Sequence, residues 1–388
     1  MRQRFPIGDS ITIEQLSSDP YPHLARLQSH EPVSWLPALD GWLVTGRDPV
    51  MAVMRDADTF TVDDPRFSTA RVIGPSMLSL DGSEHRRHRD PFGDPFRAAA
   101  IRDNMFDWVH ERAGEVVAGI APAGRADLRA TVAAPLAVDV MMRTLDLDEV
   151  DASDVLAWYE GIVAAVHTVT EGHPLPETGT AAFDSLHAAV STRLTGSSLL
   201  AAVLDHGGLS VDEIVANVGV LLFGGVVTSE STTAIVLHYL LNDDQARAEV
   251  LANRSLIAGA VEEALRLEPS AAVVDRYATT PVDLCGANIE AGDLVRVSLT
   301  GANRDPATFP DPDRFDIHRP NAGQHVTFAR GPHACLGIHL ARLEAVAALA
   351  AVLDHLGDVR LDPAGGSPVE GLVFRAPPSV HSVWQPPA

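Results

Sequence analysis

The 388-residue sequence predicts a mainly α-helical fold with minor β-sheets. Three observations lead there. Residues 84 to 265 carry long amphipathic or buried helical patterns. Extended runs punctuated by turn residues are confined to about 30–50, 273–300 and 370–385. Hydrophobic residues make up 46% of the chain, ample material for a large core, and no Gly/Ser-rich linker divides it.

The elements follow in order. "DPYPHLARLQSHEPVSWLPALDGWLVTGRDPVMAVMRD" reads as a short helix, two strand-like runs around "ALDGW", and another helix after Gly46. The helix-rich stretch is broken near Gly124, Asp151, Gly172 and Gly207. Its most apolar run, "IVANVGVLLFGGVV" from Ile214 to Val227, is too short to span a bilayer and is interrupted by Asn217 and glycines, so it reads as a buried helix. "HPLPET" reads as a loop, and "WQPPA" as a terminus. The second extended region turns at Cys285-Gly286 and Ala291-Gly292.

Composition narrows the function. A formal charge of −23 repels nucleic acid and anionic membrane surfaces, which need a basic footprint. All 29 basic residues are arginine, as a codon bias would also give. The 2 cysteines, Cys285 and Cys335, make no disulfide framework, and "MRQRFPIGDS" is not an apolar signal segment; a reducing cytoplasm is the expected compartment, with no membrane insertion.

One cysteine stands in a ligand's environment. Cys335 follows Phe328, Gly331, Pro332 and His333 and precedes Gly337 and a helical run, Ile338 to Leu353. A glycine-punctuated loop entering a helix offers unpaired N–H groups and the positive end of the dipole, which favour the metal-binding thiolate. A zinc site would need more Cys/His ligands than the nearby His333 and His339. Cys285, in "LCGAN", has no such companions and reads as structural or incidental.

Four stretches in order resemble the cytochrome P450 family. "HVTFARGPHACLGIHLARLEA" matches its heme-ligand signature at Phe328, Gly331, His333, Cys335 and Gly337. "EALR" supplies Glu263 and Arg266, the family's buried ion pair, with Arg319 as first choice for its third member and Arg314 as second. "DGSEHRRHRD" supplies His85 and Arg89, one helical turn apart, and "DRYATTPVDL" supplies Arg276. The resemblance covers essentially the whole chain and implies one cytochrome P450 domain over 1–388, with heme b between a long distal helix and the cysteine loop. It makes Cys335 the axial thiolate, tuned by N–H groups near Leu336 and Gly337. His85, Arg89, Arg276 and His333 become the propionate donors, because buried carboxylates need cationic or N–H partners.

The distal side departs from the family pattern. The sequence Gly224, Gly225, Val226, Val227, Thr228 matches the oxygen-groove motif without its acid. Gly224 opens the groove and Thr228 offers a hydroxyl, but Val227 cannot relay a proton. A register using Glu230 as the acid would put Val227 and Thr228 where small residues belong, so the first register is kept. Ser229, Ser231, Thr232 and Thr233 read as buried-face hydroxyls bonding back to the preceding turn.

By resemblance, an apolar substrate pocket is lined by Met77, Leu221, Val227, Ala271, Val274 and Phe374, together with helices around 160 to 200, and loops near Pro174 and Pro176 act as a lid. The function implied is monooxygenation of a lipophilic small molecule in secondary or xenobiotic metabolism. Water, Ser229 or a polar group on the substrate then carries the protons, or the reaction is atypical, such as coupling. Electrons come from a ferredoxin-type partner with an NAD(P)H-dependent reductase, docking near Arg86, Arg87, Arg330 and Arg342. The alternative is a non-catalytic heme sensor or carrier.

Overall fold

The computed structural model describes residues 4–170, 173–194, 199–206 and 208–386; the breaks expected at Gly172 and Gly207 lie outside them. Helix dominates, as the 3.6-residue patterns require.

The strand-like runs around "ALDGW" form an antiparallel pair, Val33–Leu36 with Gly41–Val44, turned by Asp40 at φ 44°. Gly41–Val44 then runs parallel to Leu294–Ser298, which pairs antiparallel with Val273–Ala278, and Phe60–Thr61 closes the five-stranded sheet at its edge. The sheet packs on the helix Arg47–Arg55 in its own apolar core around Trp42, Val53 and Val297. Val282–Leu284 and Ala287–Ile289 make a hairpin whose two central residues, Cys285 and Gly286, lie at φ 54° and 80°. Both positive angles match the turn that suits strand twist, so Cys285 is a turn residue here.

Three strands depart from the expectation. Phe60–Thr61 and Arg125–Asp127 fall outside the expected extended regions, and Arg360–Gly366 precedes the last of them, of which only Val380–Val383 is a regular strand. Strands of two or three residues have no readable alternation; Arg125–Asp127 exists because it pairs with His381–Val383.

The apolar run extends much further than Ile214–Val227. It is a 32-residue helix, Val211–Asn242, opened by a capping box in which Ser210 and Glu213 exchange hydrogen bonds. Its length and composition match a membrane span, but 61% of its most apolar window is buried inside the protein. It packs on the helices Ala134–Thr144, Ile257–Leu267 and Ile338–His355, so the core of the molecule forms around it.

Candidate active site

The loop before Ile338–His355 is fixed by backbone. Gly331 has φ +78°, and a Cβ there would meet the Met54 carbonyl oxygen at 2.2 Å, so only glycine fits. Ala329, at φ 55°, takes the same left-handed region against preference, in a loop closed by the Cys335 N–H donating to the Phe328 carbonyl at 2.8 Å.

Cys335 lies deep among protein atoms, yet its surface is open, so it borders an internal space rather than packed side chains. Burial pushes its thiol up, against the Gly337 amide hydrogen bond and the charges of Arg89 and Arg342. The amide at the loop-to-helix junction and both arginines favour the thiolate, and burial opposes it.

The four expected donors converge beside it. His85 and Arg89 lie on the helix Gly82–Arg89; the His85 and His333 ring centroids are 4.3 Å apart, and the Arg89 guanidinium donates to the Ala334 carbonyl at 2.5 Å. Arg276 is buried in the strand Val273–Ala278 and, among the described residues, makes one hydrogen bond, to the Asp275 carbonyl. His85 Nε2 is buried without a partner among the described residues, and burial, followed by His333 and Arg89, lowers the ring to about 4. An orphaned imidazole nitrogen and a buried arginine with unspent donors suit carboxylates brought by a ligand. The residues therefore fit a heme with its propionates.

Sequence reasoning missed Asp81. Its carboxylate accepts from His333 Nε2 at 2.7 Å, from the Thr61 hydroxyl and from the Val62 amide; burial would raise it, but these hydrogen bonds hold it well below the usual carboxylate range. One nitrogen of His333 is thus already committed, which narrows the expected donor to its other ring nitrogen. No local signal marks Asp81, because its partner is 252 residues away.

Glu263 and Arg266, both fully buried on the helix Ile257–Leu267, form a bidentate pair at 2.8 Å. Arg319 Nε joins them at 2.9 and 3.1 Å, and the Asp316 amide completes the carboxylate's partners. Arg314 offers only its carbonyl, to Arg266 and Arg319.

On the long helix, Gly224 is exposed although mid-run, and a Cβ there would meet nothing within 4 Å. At Gly225 a Cβ would stand 2.3 Å from the Met141 sulfur, so that glycine serves packing. The Thr228 hydroxyl donates to the Gly224 carbonyl. That corrects its expected role as a free donor, since its proton is held in the preceding turn while its oxygen still accepts. Glu230 is paired with Arg129 at 2.8 Å. The hydroxyls of Ser231 to Thr233 are buried, but Thr232 donates to Ser270 rather than back along the helix, and Thr233 Oγ1 has no partner among the described residues.

Comparison with known proteins decides the family. Residues 188–366 match the family profile described as Cytochrome P450. The cytochrome P450 monooxygenase PikC of Streptomyces venezuelae is 32% identical over 91% of this chain and 88% of its own length. The mycinamicin IV hydroxylase/epoxidase of Micromonospora griseorubida is 32% identical over 92% and 94%. The chain belongs to the cytochrome P450 family. The crystal structure of CalO2, 28% identical, superposes with a TM-score of 0.88 over 100% of both chains. Both the single-domain cytochrome P450 fold and the monooxygenase class follow from these relatives.

In this cytochrome P450, the other expected pocket residues are spread over several elements. Met77 is buried, its N–H donating to Asn217 Oδ1 at 2.8 Å, and Leu221 and the half-buried Val227 lie on the long helix. Ala271 bridges to Phe374, whose exposed ring meets Phe223 edge-on at 5.8 Å, and Val274 is half-buried nearby in sequence. The expected docking arginines divide. Arg87 is spent on Glu84, Glu213 and the Gly208 carbonyl, and Arg342 on Glu262. Arg330 instead feels Arg47, Arg342 and Arg55.

Proposed function

We propose that the protein is a heme b thiolate monooxygenase of the cytoplasm, acting on a lipophilic small molecule of secondary metabolism, with electrons from a ferredoxin-type partner and its NAD(P)H-dependent reductase. The observation that carries this reading is Cys335: a deep thiol bordering open space, its sulfur accepting the Gly337 amide.

When bound, the heme supplies the redox chemistry that puts one atom of dioxygen into the substrate and releases the other as water. Cys335 holds it from one face, with the Gly337 N–H tuning the sulfur. His85, Arg89, Arg276 and His333 hold the propionates, and Asp81 sets the ring of His333. Phe328 and Gly331 shape the cysteine loop, while Glu263, Arg266 and Arg319 hold the segment before it. On the other face, Gly224 leaves room, and Thr228 keeps a hydroxyl oxygen beside that room. Val227 offers no proton, so a substrate group or ordered water reaches Thr228, or the reaction is one with less need of protons, such as coupling. Met77, Leu221, Val227, Ala271, Val274 and Phe374 supply mainly apolar contact. The relative that acts on mycinamicin IV supports a lipophilic product of secondary metabolism as substrate.

The test is a carbon monoxide difference spectrum of the reduced protein. The wild type is expected to give the strongly red-shifted thiolate band, and Cys335→His to lose it; a variant that kept the band would overturn the assignment. A spin-state screen with lipophilic ligands then identifies the substrate class.

A further inference from the structure

Asn217 is the one polar side chain in the apolar run Ile214–Val227, and it has no exposed surface. A carboxamide at that depth is costly unless both its ends are engaged. Both are. Oδ1 accepts from the Met77 amide at 2.8 Å, while Nδ2 donates to the Glu213 carbonyl at 2.8 Å and to His88 Nδ1 at 3.0 Å. A backbone N–H only donates and a carbonyl only accepts, so the first two contacts decide which end of the carboxamide is which.

His88 is settled by the same chemistry. With Nδ1 accepting from Asn217, the ring proton sits on Nε2, 3.4 Å from Glu213 Oε1, the oxygen that also takes Arg87 at 2.6 Å. Burial, and then the charge of Arg87, holds the ring below the ordinary histidine range, which favours this neutral form. His88, 1% exposed on the helix Gly82–Arg89, is thus clamped between two residues of the long helix, and it fixes the carboxamide of Asn217 in turn.

The far end of this network is the Met77 backbone. Pro75–Leu80 follows the helix Ser68–Ile73 after Gly74, at φ +88°, and its other hydrogen bonds among the described residues run between Ser76 and Ser79. Among the described residues, the bond from Met77 to Asn217 is the one that ties Pro75–Leu80 to another element. Asn217 and Leu221 are four apart on the long helix and share a face, so this tie stands one turn from a residue expected in the pocket.

We propose that Asn217 is a specificity-determining positioning residue: it latches Pro75–Leu80 to the long helix and so sets Met77 as a fixed wall of the substrate pocket, with His88 holding the latch in orientation. The inference rests on the monooxygenase reading above. Without the acceptor, the Met77 N–H is a buried donor with no partner, and the segment moves to find one. Ligands large enough to touch the wall then lose their fit, while small ones do not.

The experiment compares the full-length, heme-loaded wild type with Asn217→Leu, which keeps the volume and removes the acceptor. Two probes that bind heme iron are titrated by their absorbance change: imidazole, too small to reach the wall, and 4-phenylimidazole, whose ring extends into the pocket. Asn217→Leu should weaken 4-phenylimidazole about tenfold and leave imidazole within about twofold of wild type. Equal weakening of both, or of neither, overturns the proposal. Amide hydrogen exchange on the wild type gives a reading that does not depend on the variant folding: the Met77 amide should exchange about a hundredfold more slowly than that of Leu78. Equally fast exchange at the two also overturns it. The reduced carbon monoxide band is recorded on both proteins. Its absence from the wild type would sink the monooxygenase reading, whereas a normal band with an unchanged ratio of the two affinities would sink only the latch.

Discussion

Single residues here are constrained by partners far away in the chain. Glu263 receives two arginines and one backbone amide with no exposed surface, so removing its charge strands Arg266 in the core. Breaking a buried pair in this way costs about 3–5 kcal/mol. Glu263→Gln should lower the melting temperature and the ratio of heme to protein absorbance together; a variant with normal heme content and melting would show that the triad is dispensable. Gly331 makes the same point about backbone. "Phe328 to Gly337" marked it as a turn or close approach, but what it approaches is the Met54 carbonyl, 277 positions earlier, which only the fold brings there. Gly331→Ala should therefore fold poorly or load little heme, whereas Gly286→Ala, where a Cβ meets nothing within 4 Å, should suffer only from its positive φ, as thermal melts would show.

Among the elements, those with a strong local signal were legible and those built by pairing were not. The pair Val33–Leu36 and Gly41–Val44 announced itself by two apolar runs about a turn, and the cysteine-side helix by its spacing. Phe60–Thr61 and Arg125–Asp127 are too short to carry alternation, and the buried Arg375–Glu268 pair joins residues 107 apart. The long helix was legible too: its hydroxyl-rich second half reads as a buried face, and the helix continues to Asn242. The helix Ile338–His355 carries a pH prediction. In the unfolded chain Glu344 titrates at its ordinary value of 4.5, and in the folded protein burial pushes it up to about 8. Between the two, the native state holds a proton that the unfolded state has released, so this residue's contribution to stability is full below pH 4.5 and is lost as pH rises toward 8. Urea denaturation of wild type and Glu344→Gln across that range should show the wild type losing stability relative to the variant as pH rises; parallel curves would mean that the carboxyl is solvated or paired.

At the scale of the whole molecule, charge sets the last expectation. The chain carries −23, and an acidic ferredoxin-type partner would be repelled at long range. Arg330 is the arginine whose neighbours Arg47, Arg55 and Arg342 are all of like sign, and together they hold its guanidinium below its ordinary value alongside burial, the larger cause. Among the described residues its own hydrogen bonds go only to the Ala329 and His325 carbonyls, in the loop that leads to Cys335, so a spot with one guanidinium that no carboxylate pairs lies on the cysteine side of an acidic molecule. Repulsion between net charges is screened beyond about 8 Å at physiological salt, whereas contacts within the spot are screened less. Electron delivery should then pass through a maximum as salt is raised: slow at low ionic strength where the net charges repel, fastest where only the local attraction survives, and slow again when that too is screened. Arg330→Glu should remove the maximum and slow reduction by the proposed ferredoxin-type partner, while reduction by dithionite, a small molecule that needs no docking, stays as in the wild type. Stopped-flow reduction under carbon monoxide measures both rates on the same protein. Equal slowing with both reductants would place the effect of Arg330 in the fold of the cysteine loop rather than in docking.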